Sequence, residues 1–316
     1  MKNIAVKQKV LKQASLPDQL NAQLNALYDV YEYNDMAAGE FDRLAAEFRV
    51  VLTNGEAVVS REFMGRLPNL ELISDFGVGY DGIDVAAAKE REIAVTHTPG
   101  VLTDDVADLA MGLILATSRQ IPAAQRFIEQ GAWQKGGYPW TRKVSGARLG
   151  IIGMGRIGRA IAKRAAAFNM SIAYTDRAAL ADTDYTFHAT LLSLAGASDF
   201  LVVCTNGGAE TRGLVNRDVL NALGAEGILI NISRGSVVDE RALIEAIEEG
   251  TLGGAGLDVF TDEPHVPHAL LHRANVVVTP HMASATWATR KEMSRLVLEN
   301  VNAYFAGEPL VTPVPQ

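Results

Sequence analysis

The chain has 316 residues, 48% of them hydrophobic, enough to fill two cores of roughly 100 to 200 residues each. Its formal charge of -8, from 29 basic and 37 acidic side chains, argues against a nucleic-acid groove or an anionic membrane surface as partner. Cys204 is the single cysteine, so no intrachain disulfide can form, and no apolar run reaches the length of about 18 residues that spans a bilayer.

The N-terminal stretch MKNIAVKQKVLKQASL is too polar for the apolar core of a signal peptide. With the lone cysteine, this points to a reducing cytoplasm. Aromatic and β-branched residues alternating with acidic ones predict a strand over 28–33, and apolar runs predict strands over 50–53, 70–74 and 93–96. Helical spacing falls between them, over 17–27, 38–47, 60–67 and 85–91. Such alternation predicts a parallel sheet covered by helices. A longer apolar helix is expected over 103–117, where Thr103, Asp104 and Asp105 form an N-terminal cap signal. Glycines and aromatics over 130–146 predict an excursion in which Trp133, Tyr138 and Trp140 are exposed and available to a subunit contact.

Beyond it, LGIIGMGRIG over 149–158 runs an apolar strand into G-x-G-x-x-G, the pattern that hands a dinucleotide pyrophosphate to a helix N-terminus. Gly153 permits the tight turn, Gly155 the approach of phosphate, and Gly158 the close packing of helix on strand. The next residues have helical spacing, with Ile157, Ile161 and Ala165 on one face, and Asp176 closes the following strand SIAYTD. The unit is therefore β-α-β. Strands without polar alternation follow over 200–204, 228–232, 256–260 and 276–279, and a final helix over 286–305.

Open doubly wound sheets bind ligands outside the carboxyl ends of their strands. Three sets of polar residues lie there: Arg234 after ILINIS, Asp258 and Glu263 in and after GAGLDVF, and His281 after VVVTP. From about residue 75 onward the chain resembles the D-isomer-specific 2-hydroxyacid dehydrogenases. The resemblance is carried by FGVGYDGID, TPGVLTDDVAD, IGMGRIG, NISRGSVVDE, LDVFTDEP and TPHMASAT, in that order. It implies two doubly wound parallel-sheet α/β domains: a Rossmann cofactor domain over 99–283, inserted into a flavodoxin-like substrate domain of 1–98 and 284–316.

The resemblance also implies a catalytic set of Arg234, Glu263 and His281. Keto-acid reduction needs a proton at the carbonyl oxygen, and His281 has the side chain whose ordinary pKa, about 6.5, lies nearest neutrality. A neighbouring Glu263 would orient the imidazole and favour its charged form. Arg234 stays protonated and can hold a carboxylate or polarise a carbonyl. Backbone N–H groups around Val78, Gly79 and Tyr80, with Ser284, complete the candidate substrate set. The candidate cofactor set is Gly153, Gly155, Arg156, Ile157, Gly158, Asp176, Arg177, Cys204, Thr205, Ser233 and Asp258. Asp258 matches the family position expected to bind the nicotinamide carboxamide, and Cys204 is expected to be inert. His265, His268 and His272 form no tetrahedral set, so no metal is expected.

Asp176 stands near the roughly 20-residue spacing from the glycine motif at which a carboxylate takes the ribose hydroxyls of NAD and repels a 2′-phosphate. Arg177 follows it, and an arginine there serves NADP in similar reductases. The balance favours NAD(H) over NADP(H). The resemblance is closest to the glyoxylate/hydroxypyruvate reductase branch, which implies a homodimer acting on a small 2-keto acid. A corepressor-like protein that senses NADH without turnover shares the fold and is the alternative.

Overall fold

The computed structural model describes residues 7–55 and 57–315. The chain divides into two compact units, Met1–Leu102 with Thr286–Gln316, and Thr103–Ala285 between them in sequence.

The first unit is built on a five-stranded parallel sheet. Its strands are β1 (Lys9–Lys12), β2 (Asp29–Glu32), β3 (Val50–Asn54), β4 (Leu72–Phe76) and β5 (Ala94–Thr96), in the order β2-β1-β3-β4-β5. This is the flavodoxin-like doubly wound order. All of Leu72–Phe76 is buried, as a strand covered on both faces requires. Short helices start at side-chain caps: Ser60 accepts from Phe63 N–H, and Asp84 from Ala87 N–H. The helix Trp287–Ala306 is capped by Thr286, and it packs on β4. Beyond it the chain returns to the sheet, where Pro313 bridges Thr96 and Val314 N–H donates to Val95 at 2.8 Å.

Sequence patterning passes over β1. Its residues KVLK place lysines around two apolar side chains, and Lys12 is buried because Glu32 and Asn21 receive its ammonium. A buried, paired lysine looks like a surface residue in one dimension.

The second unit carries seven parallel strands: β6 (Arg148–Ile152), β7 (Ser171–Thr175), β8 (Thr186–Phe187), β9 (Phe200–Val203), β10 (Ile228–Asn231), β11 (Gly254–Leu257) and β12 (Val276–Val278). Their order, β12-β11-β10-β9-β6-β7-β8, reverses direction between β6 and β9, the Rossmann switch point. Helix Thr103–Ser118 packs on β10, β11 and β12, and on helix Arg156–Ala167. The strand expected over 256–260 instead ends at Leu257: the chain bends at Asp258, whose N–H still donates to Asn231 O while its carboxylate accepts backbone N–H groups of Met282 and Ala283. Tyr138 also departs from expectation. It is half-buried, edge-on to Phe127, with its hydroxyl donating to Gln120 at 3.0 Å. Among the described residues no helix is long and apolar enough to cross a membrane.

Candidate active site

One row of residues stands in register across six strands of the second unit: Thr175, Ile152, Val203, Asn231, Leu257 and Val278. The chain leaves the sheet just beyond this row, and there stand Asp176, Gly153, Cys204 with Thr205, Ser233 with Arg234, Asp258, and His281. Strand register therefore brings residues distant in sequence to one edge of one sheet.

At the switch point, Gly153 adopts a φ of 91°, open to glycine but costly for other residues. A Cβ on Gly158 would overlap the carbonyl oxygen of Gly153, whereas one on Gly155 would meet nothing within 4 Å. The first contact lets helix Arg156–Ala167 begin hard against β6. The open space at Gly155, beside the N–H groups of that helix end, fits a pyrophosphate. Arg156 is exposed and Ile157 half-buried in the first turn. The Asp176 carboxylate ties the two strand ends together, accepting N–H of Met154 at 2.9 Å and of Arg177 at 2.8 Å. Each oxygen retains a lone pair for a further hydroxyl donor. The Arg177 side chain is exposed beside it. Cys204 and Thr205 are half-buried, and burial pushes the Cys204 thiol up, away from the thiolate. These features suit a nicotinamide dinucleotide.

At the other end of the row, His281 Nδ1 and Glu263 Oε2 are 2.7 Å apart. A carboxylate only accepts, so Nδ1 carries the proton. Glu263 is held by its other oxygen, which accepts Phe260 N–H at 2.8 Å. His281 has a φ of 47°, in the left-handed region; its N–H donates to Asp258 O at 2.8 Å and to Thr279 O at 3.1 Å. These bonds sustain a conformation that costs a non-glycine residue free energy, as is frequent at functional sites.

Asp258 is fully buried. Burial pushes its carboxyl above the usual range, while the Thr279 hydroxyl, the N–H groups of Met282 and Ala283, and nearby His281 pull it down. Thr279 donates at 2.6 Å, and the two N–H groups at 2.9 Å each. Asp258 thereby fixes the path of the chain through His281 and on to half-buried Ser284.

Arg234 leaves β10 through a turn organised by Asn231, whose side chain accepts Ser233 N–H at 3.1 Å and donates to Arg234 O at 2.9 Å. The guanidinium Nη1 donates to Ser233 O at 2.8 Å. Gly235 lies against Phe260, linking this turn to the loop that holds Glu263, and Glu240 accepts Thr261 N–H at 3.2 Å. Sequence reasoning passes over Asn231 and Thr279. The signal available was a polar residue ending or just following each otherwise apolar strand.

Val78, Gly79 and Tyr80 belong to the first unit, where they form a half-buried loop after β4. Thr98 N–H donates to Gly77 O at 2.7 Å, and His97 Nδ1 lies 3.0 Å from Val78 O. His265, His268 and His272 belong to a loop of the second unit, and among the described residues no group of three or more His, Cys, Asp or Glu could hold a metal ion.

The chain is similar to several known reductases. Hydroxyphenylpyruvate reductase of Plectranthus scutellarioides is 46% identical over 307 residues, covering 96% of this chain and 98% of that protein. Glyoxylate/hydroxypyruvate reductase A of Arabidopsis thaliana is 50% identical over 266 residues, covering 84% and 85%. The NADPH-dependent glyoxylate/hydroxypyruvate reductase of Sinorhizobium meliloti, solved with NADP and malonate, superposes with a TM-score of 0.90 at 41% identity, covering 98% of this chain and 97% of that one. The family described as D-isomer specific 2-hydroxyacid dehydrogenase, NAD binding domain, matches residues 111–283, and with these relatives it shows that the chain belongs to the D-isomer-specific 2-hydroxyacid dehydrogenases.

Proposed function

We propose that this protein reduces small 2-keto acids, such as glyoxylate or hydroxypyruvate, to D-2-hydroxy acids. The observation that carries the proposal is the His281–Glu263 pair, 2.7 Å apart on the same row of strand ends as the glycine turn. Gly153, Gly155, Arg156, Ile157, Gly158, Asp176, Arg177, Cys204, Thr205, Ser233 and Asp258 would hold a nicotinamide cofactor, which when bound would supply the hydride. His281 supplies the proton from Nε2, because Nδ1 is engaged with Glu263. After transfer the imidazole is neutral and keeps its Nδ1 proton on that carboxylate. Arg234 holds the substrate carboxylate or polarises the carbonyl, stabilising the negative charge that grows on its oxygen. Val78 and Gly79 offer N–H groups to the carboxylate, with Tyr80 beside them.

We further propose NADH as the preferred reductant, on the ground that the Asp176 carboxylate would repel a 2′-phosphate. The Sinorhizobium meliloti relative is named NADPH-dependent, so the discriminating measurement is kcat/KM for both cofactors across a panel of keto acids. The expected result is turnover of glyoxylate or hydroxypyruvate with a larger kcat/KM for NADH, and a shift towards NADPH in Asp176→Ser. NADH binding without turnover of any keto acid refutes the reductase, and a clear wild-type preference for NADPH refutes the cofactor assignment.

A homodimer and a cytoplasmic location complete the proposal. Helix Ile121–Glu129 has no buried residue, and Ile121, Ile128, Trp133 and Trp140 are 53%, 57%, 65% and 102% exposed, an apolar surface suited to a second copy of the chain. Sedimentation velocity should give twice the 33.9 kDa chain mass, with Trp140→Asp weakening association. A wild-type monomer at micromolar concentration rules the dimer out. Lone Cys204 leaves no intrachain disulfide to form, which suits the cytoplasm.

A further inference from the structure

We infer that His97 is a positioning residue, holding the peptide planes of Val78 and Gly79 in the orientation that receives the substrate carboxylate. This rests on the reading of that loop as the carboxylate seat.

His97 follows β5, and its Nδ1 lies 3.0 Å from Val78 O. A carbonyl oxygen only accepts, so the ring must donate from Nδ1. One residue on, Thr98 N–H donates to Gly77 O at 2.7 Å. Two successive carbonyls, those of Gly77 and Val78, are therefore drawn towards the segment that follows β5. Neither peptide is among the cis bonds. In a planar trans peptide the N–H points opposite to the C=O. Drawing Gly77 O and Val78 O one way thus aims the N–H groups of Val78 and Gly79 the other way, side by side. Two adjacent backbone donors of that kind make an anion-binding concavity. The Tyr80 ring meets the His97 ring edge-on, with centroids 5.4 Å apart and planes at 82°, which limits rotation of both.

The anchor is itself anchored. His97 N–H donates to Thr312 O at 3.2 Å, and the Thr312 hydroxyl donates to His97 O at 2.6 Å. Thr312 in turn is bound by buried Asn300, which accepts its N–H at 3.1 Å and donates to its hydroxyl at 2.8 Å. A chain of bonds inside the first unit runs from helix Trp287–Ala306 through Thr312 to His97 and ends on the loop.

The test uses the full chain. Because an interaction shared by bound substrate and transition state acts on KM, His97→Leu should raise the KM for glyoxylate and hydroxypyruvate about tenfold, with kcat lowered less than about threefold. The Kd for NADH, read by fluorescence, should not move. In His97→Asn the amide nitrogen can take the place of Nδ1, and KM should stay within about threefold of wild type. An unchanged KM in His97→Leu, or equal rises in both variants, overturns the role. Gly79→Pro, which deletes one of the two N–H donors, separates the failures. If it leaves KM unchanged, the loop is not the carboxylate seat; if it raises KM while His97→Leu does not, His97 alone is excluded. Should His97→Leu not fold, nitrogen-15 NMR of the wild-type ring, above its imidazolium pKa, decides. A proton on Nδ1 supports the role, and a ring protonated only at Nε2 refutes it.

Discussion

Replacing His281 by alanine is expected to lower kcat for keto-acid reduction by about 10²- to 10⁴-fold, the usual contribution of a placed general acid. The Kd for NADH should change little. The histidine is tied into the structure through its backbone, by bonds to Asp258 O and Thr279 O, which alanine keeps. What alanine loses is the ring. The same role dictates a pH dependence whose sign differs with direction. Reduction consumes the imidazolium proton, so its rate is highest at low pH and falls as pH rises through the imidazolium pKa; oxidation needs the neutral ring and behaves oppositely. In Glu263→Gln the amide oxygen can still accept from Nδ1, but the negative charge favouring the protonated ring is gone. Its descending limb for reduction should therefore lie at lower pH than in wild type. A deuterium isotope effect from labelled NADH establishes that chemistry limits the rate. If His281→Ala then keeps kcat within tenfold, or reduction is flat across the imidazolium range, His281 is not the acid.

Gly235→Ala should be the most damaging change of a single methyl group. Its Cβ would lie 1.9 Å from the carbonyl carbon and 2.1 Å from the carbonyl oxygen of Phe260, and 2.4 Å from Thr261 N. All three are backbone atoms, so no side chain can swing aside. Overpacking of this kind costs about 1–3 kcal/mol and sometimes more. The functional loss should exceed the stability loss, because relief must come from the Phe260 segment, and Phe260 N–H holds Glu263 at 2.8 Å. Moving it loosens the carboxylate on His281, while Arg234 is displaced from the other side. We expect kcat/KM to fall by at least about 100-fold, with the isolated cofactor still bound, since a 1 Å misplacement can cost that much. A variant with near wild-type kinetics would show that this loop does not set the geometry of Glu263.

Much of the architecture was legible because buried parallel strands declare themselves as unbroken apolar runs, and because helical spacing marks stretches such as 85–91 and 286–305. Two strands that escaped lack that signal. β1 hides behind lysines, and β8 spans only Thr186–Phe187. The pairing of Val314 with Val95 joins segments far apart in sequence, which no local pattern encodes. The candidate site was legible as positions, through glycines and polar residues just beyond apolar runs, rather than as bonds. Asn231, Thr279 and Gly235 look unremarkable in one dimension. Their importance comes from the strand register that sets β10, β11 and β12 edge to edge, so that one turn leans on the next. Tyr138 was misjudged for a similar reason, since its shelter depends on Gln120 and Phe127 from a helix whose position the sequence does not reveal.

The interruption of one unit by the other orders events on the ribosome. Residues 103–285 are contiguous and can pack as soon as they emerge, whereas the flanking sheet begins before them and closes after them, awaiting helix Trp287–Ala306 and the return of Val314 to β5. Until helix Trp287–Ala306 and Val314 have emerged, the nascent chain exposes the unclosed edge of β5 and the uncovered face of β4, and there the growing polypeptide is most open to misassociation.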